Sequence, residues 1–197
     1  RTHAEPAIGQ LVGEPLRRFE EDALRILRLY RFAARFGFVI DEATEAAAKQ
    51  LAAHLDCVSV ERIEEELNKL LSAPKPGAYL EPEVLAFVLP ELLLDDLSEA
   101  REIIDALPAG VEEVTTRWAA LVLPLGEDGT RKALKRLKCS NAVIDGVSTL
   151  VKEKAPRTPA LSLQAKRLLG KYDLHTVQQL AALWSALQPE RKDEFTE

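Results

Sequence analysis

From residue 18 onward, the chain is a series of short segments in which apolar residues recur every three or four positions. That spacing is typical of amphipathic helices, and the prolines and glycines between the segments are residues that end helices. The pattern predicts helices over 19–36, 41–54, 59–71, 98–107, 111–122, 128–138, 141–153, 159–171 and 174–187. Only residues 7–12 read as extended, and a lone strand is not stable by itself. The sequence therefore predicts an all-α fold with at most a residual N-terminal strand.

Two breaks divide this helical pattern. Pro74–Gly77 and Pro108–Gly110 each place proline and glycine close together, so we expect helical sub-bundles to separate near one of them. The predicted helix starts carry polar residues of the kind that accept hydrogen bonds from first-turn N–H groups. These predicted caps are Ser59, Ser98, Ser140 and Asp173, with Asp41 or Glu42 opening the second helix.

The first predicted helix has an unusual distribution of charge. Asp22, Arg25, Arg28 and Arg31 follow each other at three-residue intervals, and Arg35 falls on the same side of the helix. The opposite side is apolar, with Ala23, Ile26, Leu27, Tyr30, Ala33 and Ala34. Like charges at these spacings repel each other, so something must neutralise the arginines. A bound anion would do so, but an intramolecular network with the many glutamates, or simple solvation, explains the spacing equally well.

The lack of long apolar runs and the spacing of the cysteines and histidines exclude several classes of protein. No apolar run is long enough to span a membrane, and the first residues do not form a signal pattern. Cys57 and Cys139 stand alone without metal-ligand spacing, so we expect buried free thiols, a cytoplasmic protein and no metal site. The three histidines form neither an HExxH nor a His-Asp motif.

The net negative charge is distributed unevenly along the chain. The net charge is −6, yet residues 81–113 contain ten acidic residues against Arg101 alone, so the remainder is net positive. The densest basic run is residues 131–138, which could form a phosphate-binding surface or a solvated helix face.

Several motifs together resemble a known family. They are Val12-Gly13-Glu14-Pro15, Glu21-Asp22-Ala23-Leu24-Arg25, Arg31-Phe32, Phe36-Gly37-Phe38, Ser59-Val60-Glu61-Arg62-Ile63 and Arg117-Trp118-Ala119-Ala120-Leu121. This set is similar to class II tRNA nucleotidyltransferases, the bacterial CCA-adding enzymes and their poly(A) polymerase relatives. The family more often has Asp where this chain has Glu14. The resemblance implies four segments. Residues 1–17 would be the end of an otherwise missing head domain and a linker, 18–73 the neck, 74–125 the body and 126–197 the tail.

The resemblance implies that the neck selects the incoming nucleotide. Asp22 and Arg25 would read the base, Arg28 and Arg31 would help to hold the nucleotide, and Glu21 would orient the pair. The chemistry is consistent with CTP and ATP as substrates, because cytosine and adenine both present an amino donor beside a ring-nitrogen acceptor. A carboxylate only accepts hydrogen bonds and a guanidinium only donates them. Uracil and guanine present the reverse order, so the pair would reject them.

The resemblance also implies what the chain lacks. The family's head binds Mg²⁺ through a DxD motif, and no such motif occurs here, so we expect no catalytic and no metal-binding residue. The chain contains no Met at all, which suggests a processed or truncated piece that is inactive alone.

The body and tail would bind the acceptor arm of tRNA through its backbone. The candidate RNA-binding residues are Arg131, Lys132, Lys135, Arg136, Lys138, Lys166, Arg167 and Lys171. Two alternatives stay open: a poly(A) polymerase of the same family, and a non-catalytic helical interaction module whose arginines form salt bridges only. Whether the parent adds C, A or the whole CCA is not encoded in these residues.

Overall fold

A computed structural model of the chain describes residues 8–9, 14–92, 97–154 and 166–191. These residues contain ten α-helices of at least seven residues, joined by turns and short 3₁₀ segments. The helices are α1 (Pro15–Glu21), α2 (Leu24–Phe36), α3 (Glu42–Gln50), α4 (Val60–Leu71), α5 (Pro82–Val88), α6 (Ser98–Ala106), α7 (Val114–Val122), α8 (Gly126–Arg136), α9 (Asn141–Lys152) and α10 (Leu174–Leu187). The all-α prediction is confirmed. No helix in these ranges is long and apolar enough to cross a membrane.

Two short strands accompany the helices. β1 (Ile8–Gly9) pairs in parallel with β2 (Val39–Ile40), with Ile8 opposite Val39 and Gly9 opposite Ile40. β1 lies within the segment predicted as extended, whose other residues fall outside the described ranges. β2 was not predicted, because two residues are too few to give an alternating pattern.

The first predicted helix is in fact two helices, and Asp22 lies between them. α1 ends at Glu21, Asp22 has extended backbone angles (φ −154°, ψ 103°), and α2 begins at Leu24. Asp22 Oδ1 accepts a hydrogen bond from the Leu24 N–H at 3.1 Å. Aspartate competes for backbone N–H groups in this way, which favours helix starts over helix interiors. The prediction of one continuous helix over 19–36 is therefore wrong, and Asp22 is not on the same helical arc as the arginines.

Other boundaries follow the capping residues in part. Asp41, Ser140 and Asp173 accept hydrogen bonds from first-turn N–H groups of α3, α9 and α10. Ser59 precedes α4 without a side-chain cap, and α6 begins at Ser98 itself. The short helix α5 was not predicted. Residues 166–169 are helical, and the rest of the predicted 159–171 helix before them lies outside the described residues.

The core is one cluster of apolar side chains that runs from α1 to α10. α4 contributes a buried apolar stripe, since Ile63, Leu67, Leu70 and Leu71 are all buried. Trp118 and Trp184 are core residues. Each indole N–H donates at 2.7 Å, Trp118 to Asn68 Oδ1 and Trp184 to the Glu153 carbonyl. The division at residues 74 and 126 stays a prediction.

Arg117, on α7, is a fully buried cation. Its guanidinium donates to four backbone carbonyls, those of Leu71 (2.6 Å), Leu107 (3.0 Å), Pro74 (3.4 Å) and Ala73. Helix C-termini leave carbonyls without intrahelical partners and carry partial negative charge. Arg117 therefore joins the end of α4 to the end of α6 through a single side chain.

Gly77 stands where the chain after α4 meets α6. Its N–H donates to Asp105 Oδ1 at 2.8 Å, and a Cβ there would lie 2.7 Å from Asp105 Oδ2 and 2.9 Å from the Arg101 carbonyl oxygen. We expect Gly77→Ala to lower the free energy of unfolding by about 1–3 kcal/mol, because the new methyl group forces α6 away. Urea denaturation would measure the change. Gly170→Ala is the matched control, since its Cβ would make only ordinary contacts, 3.5 Å at the shortest. Equal stability of both variants would contradict the prediction.

Candidate functional site

α2 has one buried and one exposed face, as predicted. All six residues of the predicted apolar side are buried, and Arg25, Arg28, Arg31 and Arg35 lie on the other side. α4 packs against α2 and supplies the carboxylate that contacts this charged face and the arginine that contacts Asp22.

Asp22 is fixed from two directions. Oδ1 accepts from the Leu24 N–H, and Oδ2 accepts from Arg62 Nη2 at 3.0 Å. Partial burial raises the pKa of Asp22, but the hydrogen bonds from Arg62 and Leu24 outweigh that effect, and the net pKa is lowered. The carboxylate is therefore ionised and can only accept. Arg62 thereby connects α4 to Asp22, which lies between α1 and α2.

Arg25 and Glu21 form the second part of the site. Arg25 Nη1 donates to Glu21 Oε2 at 2.8 Å and to the Arg18 carbonyl at 3.1 Å. The hydrogen bond from Arg25 lowers the pKa of Glu21. No described residue accepts from Arg25 Nε or Nη2, so these groups can still donate to a ligand. Glu21 orients Arg25 through this hydrogen bond, and none of the hydrogen bonds among the described residues joins its side chain to that of Asp22.

Arg28 and Arg31 share a carboxylate that sequence reasoning did not single out. Glu66 is 3% exposed, Arg28 Nε donates to its Oε1 at 3.2 Å, and Arg31 Nε lies 2.7 Å from its Oε2. The Arg31 N–H is poorly aligned for a hydrogen bond, so this second contact is an ion pair only. The sequence contains a signal for the burial of Glu66, because this residue lies on the same side of α4 as Ile63 and Leu70, which are buried. Arg28 and Arg31 thus contact Glu66, and neither is hydrogen-bonded to Asp22 or Glu21.

The arginines of α2 form part of the intramolecular network with glutamates that was the alternative to a bound anion. Glu21 and Glu66 neutralise Arg25, Arg28 and Arg31 in part. Arg35 makes no ion pair with a described residue and lies over the Phe36 ring. Nucleotide binding by this group stays a prediction.

Most of the candidate RNA-binding cations pair with acids. Arg131 contacts Asp145, Arg136 contacts Glu91, Lys138 contacts Glu61, and Arg167 and Lys171 contact Glu153. The remaining three, Lys132, Lys135 and Lys166, are exposed and make no ion pair with a described residue. These lysines are the cations in the set that are most available to phosphates.

Glu153 organises the start of the last described segment. It is 2% exposed and accepts from Lys171 (2.8 Å), Arg167 (3.1 Å) and the Tyr172 hydroxyl (3.1 Å). Burial raises the pKa of Glu153, yet the three hydrogen bonds prevail and lower it to about 2. Arg167 and Lys171 therefore have a structural role as well as an exposed surface.

The described residues contain no group of three or more His, Cys, Asp or Glu side chains that could bind a metal ion. Both cysteines are free, Cys139 is buried, and burial raises the pKa of its thiol to about 12. Cys57 is exposed, so the expectation of two buried thiols is wrong for that residue.

Comparison with known proteins identifies one matching family and several proteins of similar sequence. Residues 37–93 match a family described as "Probable RNA and SrmB-binding site of polymerase A". A CCA-adding enzyme of Limosilactobacillus fermentum is 36% identical over 177 residues, which cover 86% of this chain and 42% of that protein. A CCA-adding enzyme of Streptococcus uberis is 35% identical over 178 residues, covering 88% and 42%. The chain spans less than half the length of these relatives.

Solved structures show the same fold. The CCA-adding enzyme of Bacillus stearothermophilus in complex with CTP superposes with a TM-score of 0.74 at 28% identity, over 95% of this chain and 49% of that one. The Thermotoga maritima CCA-adding enzyme complexed with tRNA matches with a TM-score of 0.64 at 18% identity, over 93% and 50%. At that identity the second match concerns the fold alone.

Proposed function

The chain belongs to the family of the CCA-adding enzymes, and from that membership we propose that it is the nucleotide-selecting and tRNA-binding portion of a tRNA nucleotidyltransferase. The parent would add CCA, or part of it, to tRNA 3′ ends, with CTP and ATP as substrates. The observation that carries the proposal is that Asp22, an ionised carboxylate, and Arg25, a guanidinium that keeps free donors, lie three residues apart in the chain at the start of α2.

These two groups can read the pairing edge of a base. Asp22 accepts from Leu24 and Arg62, and a carboxylate has further lone pairs with which to accept from an exocyclic amino group. Arg25 can donate from Nε and Nη2 to the ring nitrogen beside it. Cytosine and adenine satisfy both groups, whereas uracil and guanine present a donor to the donor and an acceptor to the acceptor. Selection then follows from hydrogen-bonding polarity and needs no nucleic-acid template.

The described residues do not fit the role of a metal site, so Mg²⁺ belongs to a head domain outside them in this proposal. No step at the metal is assigned to this chain. Its own residues bind and orient the base and contact the RNA. The binding surface for the tRNA acceptor arm includes Lys132, Lys135 and Lys166, which are exposed and have no carboxylate partner among the described residues.

Asp22→Asn tests base reading while keeping a side-chain oxygen that can accept from the Leu24 N–H, since asparagine forms the same local hydrogen bond to the backbone. The amide can donate as well as accept, so we expect preference for CTP and ATP over UTP and GTP to fall about ten- to hundredfold. Competition among the four nucleotides for incorporation into tRNA that lacks its 3′ CCA, in the protein that includes the head, measures this ratio. Glu65→Ala, at an exposed acid on α4, is the matched control.

Unchanged selection in Asp22→Asn would refute base reading. Extension of unrelated RNAs with ATP alone would favour the poly(A) polymerase alternative. Binding of tRNA by the chain that does not weaken between low and moderate salt would favour the interaction module, because phosphate contacts are salt-dependent.

A further inference from the structure

Three aromatic rings form a row beside the charged face of α2, and two of them are exposed. Phe32 and Phe36 are 44% and 55% exposed, and their centroids lie 6.2 Å apart with planes 7° from parallel. The Phe38 ring continues the row, 5.5 Å from Phe36 at 25°. Large apolar side chains are normally buried, so two exposed rings that stack with a third, half-buried ring indicate a binding surface.

The fold builds this aromatic row from two elements. Phe32 and Phe36 are four residues apart and occupy one stripe of α2. Gly37 then adopts the left-handed conformation (φ 69°), which ends the helix, and the Phe38 N–H donates back to the Ala33 carbonyl at 3.0 Å. Tyr79 donates its hydroxyl to the Phe38 carbonyl at 2.8 Å. The backbone at the end of the row is therefore fixed by a neighbouring segment.

Two guanidinium groups accompany the rings. The Arg31 Cζ lies 3.9 Å from the Phe32 centroid, and the Arg35 Cζ lies 5.5 Å from the Phe36 centroid. Such pairs are attractive because the ring face is negative. Arg35 makes no ion pair with a described residue, so its charge is available to a partner. An apolar protein surface that covered the row would have to desolvate this cation without compensation.

We propose that Phe32, Phe36 and Phe38, with Arg31 and Arg35, stack the unpaired bases of an RNA strand. Bases of any sequence stack well on aromatic faces, and the strand brings phosphates to Arg35. The row occupies the stripe of α2 that includes Arg28 and begins two turns beyond Arg25, roughly 10 Å along the helix axis. Under the proposed function this strand is the 3′ end of tRNA, and only that identification rests on the proposed function. Stacking of unpaired RNA does not depend on base selection by Asp22.

Fluorescence anisotropy of a labelled, unpaired RNA of about eight nucleotides tests the row. Phe36→Leu keeps an apolar side chain but removes the aromatic face, and we expect its Kd to rise about five- to hundredfold. Phe36→Trp should bind as tightly as the wild type or more tightly. A blunt RNA hairpin should bind the wild type and Phe36→Leu equally. Val111→Ala, at an apolar residue that is 83% exposed elsewhere, should change neither affinity.

Wild-type affinity in Phe36→Leu, or equal loss in Phe36→Leu and Phe36→Trp, would overturn the proposal. So would sedimentation that finds a dimer of the wild type and a monomer of Phe36→Leu, since a second copy would then cover the row. Phe32→Leu repeats the test should Phe36→Leu fail to fold. Asp22→Asn should leave the RNA affinity unchanged, so a failure of base reading is distinguishable from a failure of stacking.

Discussion

Replacing Arg117 with methionine is expected to lower the free energy of unfolding by about 3–5 kcal/mol. Methionine fills much of the same space but leaves four carbonyl oxygens at the ends of α4 and α6 without their donor. No other described side chain donates to the Leu71 or Leu107 carbonyl. Burial lowers the pKa of Arg117, and the charges of Asp105 and Glu113 oppose that effect without touching the guanidinium. This cation is therefore stabilised by carbonyl dipoles, since no described carboxylate contacts it.

Urea unfolding followed by circular dichroism measures this loss as a lower midpoint at constant slope. Arg117→Lys keeps the charge but has one nitrogen to serve two helix ends, so its midpoint should lie between those of the wild type and Arg117→Met. Lys132→Met is the matched control on an exposed residue and should change the stability by less than about 0.5 kcal/mol. A loss below about 1 kcal/mol in Arg117→Met would contradict the structural role of the four hydrogen bonds.

Glu153→Gln is expected to destabilise the protein by about 3 kcal/mol at neutral pH, and the effect should vanish in acid. The folded pKa, about 2, lies below the ordinary value of 4.5. A carboxylate with a lowered pKa contributes its full stability above the unfolded pKa and loses it as the pH falls toward the folded pKa. The difference between wild type and variant should therefore be constant above about pH 5 and shrink steadily between about pH 4.5 and pH 2.

Urea unfolding at a series of pH values measures this difference directly. Asp145→Asn provides the comparison, because Asp145 also pairs with an arginine but its side chain is 68% exposed. Its midpoint should stay close to that of the wild type at every pH, as expected for an exposed ion pair. A pH-independent loss in Glu153→Gln would mean that packing of the amide, and not the charge, causes the effect.

Most of the helices could be predicted from the sequence, and the errors have local causes. Apolar periodicity located α4 because more than three turns of consistent spacing give a strong signal. The break at Asp22 was missed because aspartate tolerates both a helix and a cap, and the apolar pattern continues across it. α5 and β2 were missed because each is too short for periodicity to be counted.

The candidate site was predicted in part. The arginines of α2 and their exposed face followed from the spacing alone. Their partners did not, because Glu66 stands among three consecutive glutamates, Glu64, Glu65 and Glu66, that look alike in sequence. Only the packing of α4 on α2 distinguishes the buried one. The same holds for Arg167 and Lys171, which read as phosphate ligands but contact Glu153.

The sequence by itself determined the helical class, the basic face of α2 and the residue types that could read a base. These properties depend on the spacing of residues within one or two helical turns. The tertiary structure alone decided which charges neutralise each other, where Asp22 points, and that Phe38 extends the row of the exposed rings of Phe32 and Phe36. The physical reason is that Arg62 and Glu66 contact Asp22 and Arg28 across 40 and 38 residues of sequence, through the packing of two separate helices. Such pairings depend on how buried faces fit together, and no local spacing records them.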